Sequence, residues 1–450
     1  MKLLIYISIV MLMLTSCLSK NKQGESTTLS SQTRTEETLL DTIQYQTIQY
    51  FWEGAEPNSG MACERIHLDG FYPKDDSDVV TLGGSGFGVM AILVGIERGF
   101  IQREEALTRY QQIVAFLKEA DRFHGVWPHW LNGKTGKVAP FSKKDDGGDL
   151  VETAFMIQGL LTVAEYFKDG NETEQQLVAD ITQLWHEVEW DWYTKNGEDV
   201  LYWHWSPNYG WEMNFAVGGY NECLIMYVLA ASSPTHPVKP SVYHQGWTVQ
   251  GNITKDTVYY ELPTVLNYYQ HSDDPIGPLF WSHYSYLGLN PKGLKDRYAD
   301  YWELTTNHAK IHYNYCVDNP KQFKGYGPNQ WGLTSSYSMK GYAGHHPGDS
   351  DLGVISPTAA LSSFPYTPKE SMQFLQYLYQ DADSLVGKYG PYDAYSHTAN
   401  WCNPHYLAID QGPIPVMIEN HRTGLLWNLF MGNKDVVKGL KSLDFTVNPK

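Results

Sequence analysis

Apolar residues recur at spacings near 3.6 along much of this chain. The pattern predicts helices over 38–54, 85–98, 102–120, 148–168, 173–190, 220–232, 278–289, 296–317, 356–364, 368–386, 413–430 and 433–443. Each such helix has one apolar face to bury, so the helices must pack against one another. Short polar or glycine-containing joints, Gly99 to Gln102 and Lys168 to Glu172, separate members of a pair as in antiparallel helical hairpins. Six pairs predict an all-α fold, an (α/α)6 toroid. The longer connections 121–147, 191–219, 318–355 and 388–412 are rich in Gly, Pro, Trp and Tyr. Their aromatic content argues against disorder, and they are expected to line one face. Segments Glu198 to Trp205 and Thr254 to Leu262 read as short hairpins.

The pattern changes character at the start of the chain. Lys2 precedes an apolar run from Leu3 to Leu14 that is shorter than the ~20 residues a membrane-spanning helix needs, and Leu14-Thr15-Ser16-Cys17 follows. This is similar to a bacterial lipoprotein signal, with residues 1–16 removed and Cys17 lipidated. Residues 17–37 are polar and without periodicity, as in a flexible tether, which leaves 38–450 as one catalytic domain. The expected location is the bacterial cell envelope, periplasmic or at the cell surface, with the lipid membrane engaged through Cys17. No later apolar run is long enough to span a bilayer. Cys63, Cys223, Cys316 and Cys402 are widely spaced without a CxxC pair, which argues against a zinc cluster and assigns no disulfide.

Charge narrows the partners. With 33 basic and 50 acidic residues the net charge is −17 and no basic run follows the tether, so nucleic acid is a poor partner. Aromatics reach 14%, including 15 Trp and 32 Tyr. Flat rings with polar edges suit sugars, although the same rings also fill a large core. No cofactor or metal is implied, and a monomer is expected.

The candidate chemistry begins at Asp145-Asp-Gly-Gly-Asp-Leu-Val-Glu152, with four carboxylates ahead of an apolar helix. Asp149 and Glu152 fall three apart on its first turn, where the macrodipole favours ionised acids. The same residues also fit an N-cap and an ordinary acidic first turn. Glu222 is the lone charge at the head of the apolar stretch ending at Ala231, where desolvation would raise its pKa toward that of a general acid. Asp410 precedes Pro413 and fits an Asx-type turn as well as a catalytic role. Glu419 and Arg422 have the spacing of a helix-internal ion pair. Trp127, His129 and Trp130, then Trp203, His204 and Trp205, and finally Trp247 cluster rings in the long connections or beside them, and read as substrate-binding residues.

Together Tyr50-Phe-Trp-Glu, Gly83-Gly-Ser-Gly-Phe-Gly88, the acidic cluster, Tyr220-Asn-Glu222 and Ile409-Asp-Gln-Gly-Pro413 resemble the glycoamylase-like family, glycoside hydrolase family 144. The resemblance runs from about residue 40 to the C-terminus. It implies an (α/α)6 domain that hydrolyses β-1,2-glucan to sophorooligosaccharides with inversion of the anomeric carbon. By position it implies that Asp145, Asp149, Glu152, Glu222 and Asp410 are the important acids. Glu222 is then assigned as acid and Asp410 as base, with the cluster orienting hydroxyls or water. Three rivals stay open from the residues alone: another glucan or glucoside linkage, a polysaccharide lyase, and a non-catalytic glycan-binding lipoprotein. The acidic cluster argues against the lyase, which would want a basic cleft.

Overall fold

Thirteen α-helices occur among the described residues of the computed structural model, which are 35–72, 74–268 and 276–447. In chain order they are α1 Glu36–Trp52, α2 Leu82–Glu97, α3 Arg103–Glu119, α4 Leu150–Phe167, α5 Glu172–His186, α6 Leu224–Ser232, α7 Tyr301–Asp318, α8 Pro357–Leu361, α9 Pro368–Gln380, α10 Ala408–Gln411, α11 Pro413–Arg422, α12 Leu425–Phe430 and α13 Lys434–Ser442. The signal and Cys17 lie outside the described residues. Helix starts follow local chemistry. Asn171 and Glu174 form a reciprocal capping box on α5, Asp300 caps α7 and Asn433 caps α13. All the named strands form two-stranded ladders, so helices carry the architecture of this (α/α)6 toroid.

The core is organised around α4. It packs on α2, α5, α6 and α12, and almost all of its residues are buried. The expectation that no later run could span a bilayer is corrected by this helix, which is apolar and long enough by length and composition, yet is the buried central helix of a folded domain. Its contact with α2 depends on glycine: a Cβ at Gly159 would lie 2.2 Å from the Gly86 carbonyl oxygen, and one at Gly86 would lie 2.4 Å from that of Phe155. Larger residues would push the two helices apart. Much of the aromatic content fills this interior, with Trp127, Trp185, Trp190, Trp247, Trp331 and Trp427 fully buried.

Helices predicted from periodicity differ in several places in the fold, and 368–386 ends as an α-helix at Gln380 and gives way to a 3₁₀ turn at Asp383–Leu385. Residues 278–289 form two 3₁₀ turns, Leu279–Ser282 and Tyr284–Tyr286. The carbonyls of Tyr284, Tyr286 and Leu287 accept hydrogen bonds from side chains of Gln158, Trp427 and Asn420 rather than from the helical ladder. The stretch 413–430 is broken at Gly424, whose φ of 72° no helix accommodates. The stretch 356–364 keeps only the five residues of α8. Thr254–Tyr259 pairs with Leu262–Leu266 as a hairpin. Glu198 to Trp205 does not form one, because His204–Trp205 pairs instead with Gly148–Asp149, far away in sequence.

The expected Glu419–Arg422 pair is also corrected. Arg98 from the end of α2 donates to both Glu419 oxygens, at 2.7 and 2.8 Å. Arg422 turns to Asp41, Gln44 and Glu37 on α1. Tertiary neighbours captured both charges because guanidinium forks favour bidentate or multiple acceptors over a single residue one turn away.

Candidate active site

The long connections meet over the α2 and α4 N-termini and enclose a cleft of about 310 Å³. Glu64, Glu152 and Glu222 line it, together with His129 and the rings of Trp130, Phe155, Trp203, Phe280, Tyr284, Tyr337 and Tyr342. Phe141 and Tyr342 stand at its mouth, 51% and 57% exposed. Apolar ring faces and convergent carboxyls are what a sugar chain requires.

Asp149 performs both roles that its sequence position allowed. Its Oδ1 caps α4 by accepting from the Val151 and Glu152 amides at 3.0 and 2.9 Å, while Oδ2 accepts from His129 Nδ1 at 2.8 Å. Pairing of Asp149 with His204 brings the His204 Nε2 to 3.8 Å from Asp149 Oδ2 and 3.5 Å from Asp145 Oδ2. Glu152, one turn into α4, accepts from the Gly83 amide at 2.7 Å. A Cβ at Gly83 would sit 2.5 Å from that same carboxylate oxygen, so only glycine lets the α2 terminus hold it.

Electrostatics separate these groups. Burial pulls His129 down, but Glu152, the hydrogen bond to Asp149 and the charges of Asp149 and Asp145 raise it to about 10, making it an imidazolium. Burial opposes ionisation of Asp149, yet the His129 bond and charge hold its carboxyl below the usual range. Burial and the Asp149 charge push Asp145 up to about 7, and burial lifts Glu152 to about 7. Partial burial lowers His204 to about 4, so it is neutral. Glu222 is only 8% exposed just before α6, and burial pushes its carboxyl up to about 8. It therefore carries a proton at neutral pH.

Asp410, on α10, is buried behind Tyr284, whose hydroxyl makes a long 3.5 Å contact with its Oδ1. That hydroxyl also feels the charges of Glu222 and Glu152, so Tyr284 stands among all three acids. Burial and the neighbouring Asp393 push Asp410 well above the carboxylate range.

A family model described as "Putative glucoamylase" matches residues 214–434, which include Glu222 and Asp410. A solved endo-β-1,2-glucanase from Chitinophaga pinensis is 61% identical, with a TM-score of 0.91, covering 92% of this chain and 99% of that one. The chain belongs to the glycoamylase-like family, glycoside hydrolase family 144. A curated relative from Parabacteroides distasonis, named exo-β-1,2-glucooligosaccharide sophorohydrolase (non-reducing end), is 43% identical over 94% of this chain. This chain spans 60% of that relative's length. A solved β-1,2-glucanase from the same organism is also 43% identical, with a TM-score of 0.85, over 91% of this chain and 60% of that one.

Within this family 144 fold the ring residues predicted from sequence divide. His129, Trp130 and Trp203 line the cleft, and His204 backs its acids. Trp127 and Trp247 are corrected to core residues: both are fully buried, and the Trp127 indole donates to the Leu117 carbonyl. Trp205 packs edge-on against His124 and Trp192 away from the cleft lining. Asp146, which had no assigned role, accepts from Ser206 and Asn208 and ties two connections together. Glu64, Asp393 and Tyr284 were not found by sequence reasoning. Asp393 lies in the connection 388–412 already marked by its aromatics, but no periodicity singles it out.

Two groups have the spacing of cation ligands. His129, Asp145 and Asp149 bring ligand atoms within 4.8 Å of one another, and there His129 Nδ1 and Asp149 Oδ2 are joined by a 2.8 Å hydrogen bond. His67, Asp69 and His405 do likewise at the strand pair joining 65–67 to 405–407. Their imidazoles stack 3.5 Å apart and 6° from parallel, so their in-plane lone pairs run side by side rather than converging on an ion.

Proposed function

We propose that this chain is a glycoside hydrolase that cleaves β-1,2-glucan to sophorooligosaccharides with inversion of the anomeric carbon. The observation that carries the reading is Glu222, a carboxyl kept protonated to about pH 8 by burial, facing an acidic, ring-lined cleft. It is supported by 61% identity across nearly the whole of the endo-β-1,2-glucanase from Chitinophaga pinensis. That coverage also favours internal cleavage over attack from a chain end.

Inversion needs an acid at the leaving oxygen and a base for water on the opposite face. Glu222 donates its proton to the departing glycosidic oxygen, and Asp410 receives one from the attacking water. Glu152, held by the Gly83 amide at the cleft wall, orients a hydroxyl, while Asp149, fully buried behind it, holds His129 in place. Like-charge repulsion from Glu152 and Asp149 adds to the burial that keeps Glu222 protonated. Trp130 and Trp203 supply ring faces for glucose units, while Cys17 anchors the enzyme to an envelope membrane.

Reducing-end release from β-1,2-glucan, β-1,3-glucan and starch tests the substrate. Activity on β-1,2-glucan alone is expected, and strong activity on starch with none on β-1,2-glucan would overturn the reading. NMR of early product should show the α-anomer; the β-anomer would demand a nucleophile in place of the base.

A further inference from the structure

Asp393 is a buried acid in contact with the base assigned above, and nothing so far gives it a task. It comes from the connection after α9, and its Oδ2 accepts from the Tyr337 amide at 2.7 Å. Its other oxygen, Oδ1, is buried and has no donor. Asp410 presents the complementary situation: Oδ1 meets the Tyr284 hydroxyl, and Oδ2 is buried without a donor. The two carboxyls lie close enough for a hydrogen bond between them, and each bears on the other's ionisation. Two ionised carboxylates cannot make that bond, because each offers only acceptors. One proton between the orphaned oxygens satisfies both.

We propose that Asp393 and Asp410 form a carboxyl dyad sharing a single proton, with Asp393 a positioning residue that makes Asp410 a competent base. The inference rests on the glycosidase reading of this cleft. The groups facing the pair reinforce the arrangement. The charge of Glu64 raises both acids, Tyr284 bonds Asp410, and the Tyr342 and Tyr337 hydroxyls feel the pair's charge. Arg65, 3.7 Å from Glu64 and beside Tyr337, is a cation close to this group, but the charges it meets are those of Glu64, Tyr337 and Asp76. Burial holds Asp393 at about 6 and Asp410 well above the usual range, consistent with a pair that loses its first proton near pH 6 and keeps the second.

The chemistry balances within the singly protonated dyad. As water attacks the anomeric carbon, its proton passes to Asp410 Oδ1, and the proton on Asp410 Oδ2 passes to Asp393 Oδ1. The glycosidic C–O bond breaks as the new one forms, and the leaving oxygen takes the Glu222 proton. The neutral dyad then returns one proton to solvent and Glu222 regains one, so no oxidant or co-reactant is needed. The same logic lets paired aspartates activate water in aspartic proteases.

Asp393→Asn separates this scheme from a structural role. The amide donates to Asp410 Oδ2 and removes the neighbouring charge, so Asp410 ionises more easily. The acid limb of kcat against pH on β-1,2-glucan should move down by at least one pH unit, with kcat lowered at least ~10-fold and KM within twofold. A uniform loss at every pH with the limb unmoved would overturn the proposal. Isotope-edited infrared spectra of ¹³C-carboxyl-aspartate protein, taken without substrate at about pH 8, read the same proton independently of activity. Wild type should show one more protonated aspartate than Asp393→Asn, and one more than Asp410→Asn should the first variant fail to fold. No protonated aspartate in wild type would remove the dyad. Inactivity of wild type on β-1,2-glucan with the dyad signal present would instead sink the substrate reading and leave the pair intact.

Discussion

Glu222→Gln tests the acid on two independent axes. The glutamine keeps the side chain's volume and loses its proton, so turnover on β-1,2-glucan should fall by ~10²–10⁴. The second axis is stability. Folding raises the Glu222 carboxyl from 4.5 to about 8, so between those values the folded chain holds a proton that the unfolded chain has released. Stability from this group is therefore present below about pH 4.5, declines as pH rises, and is lost above about pH 8. At about 1.36 kcal/mol per pH unit the span from 4.5 to about 8 corresponds to about 5 kcal/mol. Glutamine has no such dependence. Urea unfolding of both proteins from pH 5 to pH 9 should show the variant gaining on wild type by several kcal/mol as pH rises. Parallel stability curves would show that Glu222 ionises freely in the folded state, and would remove the physical basis for its role as acid.

Arg98→Ala should cost about 3 kcal/mol by leaving Glu419, 2% exposed, with the neutral donors Gln44 and Thr423 but without its cation; thermal unfolding should register the loss while kcat stays unchanged, since neither residue lines the cleft. Trp203→Ala should raise KM for β-1,2-glucan with little change in unfolding temperature, whereas Trp127→Ala should cost ~3–5 kcal/mol of stability, as expected of a fully buried indole. Equal effects of the two substitutions on KM would contradict their separation into cleft and core. Cys17→Ser should release soluble, active enzyme from membranes, and detergent-phase partitioning of the two proteins reads this directly.

Local chemistry explains which parts of the fold were legible. Helices α3 and α5 carry their own amphipathic spacing and α4 an almost unbroken apolar run, with side-chain caps at Asn171 on α5 and Asp149 on α4, so their existence follows from local sequence. The 3₁₀ turns at 279–286 carry the same apolar spacing, but Gln158, Trp427 and Asn420 from other elements take their carbonyls. No window around residue 284 contains that information. The split of 413–430 was closer to the surface of the sequence, since Gly424 is visible there, but a glycine alone does not reveal a positive φ.

The site shows the same division. Four acids close together before an apolar helix, and a single acid at the head of another, are patterns of charge against apolarity, and the sequence by itself determined that Asp149, Glu152 and Glu222 stand at helix starts. It also determined an acidic, ring-rich chain. Only tertiary structure decided which rings face the cleft, because Trp127 and Trp203 have similar neighbours in sequence and opposite fates in packing. It alone set His129 among three carboxylates and thereby fixed their ionisation. It alone brought Asp393 close to Asp410 across the short strands 395–396, 401–402 and 405–407. The reason is physical: periodicity encodes which face of an element is buried, whereas a pKa depends on the charges and dielectric supplied by residues that meet only when the chain closes.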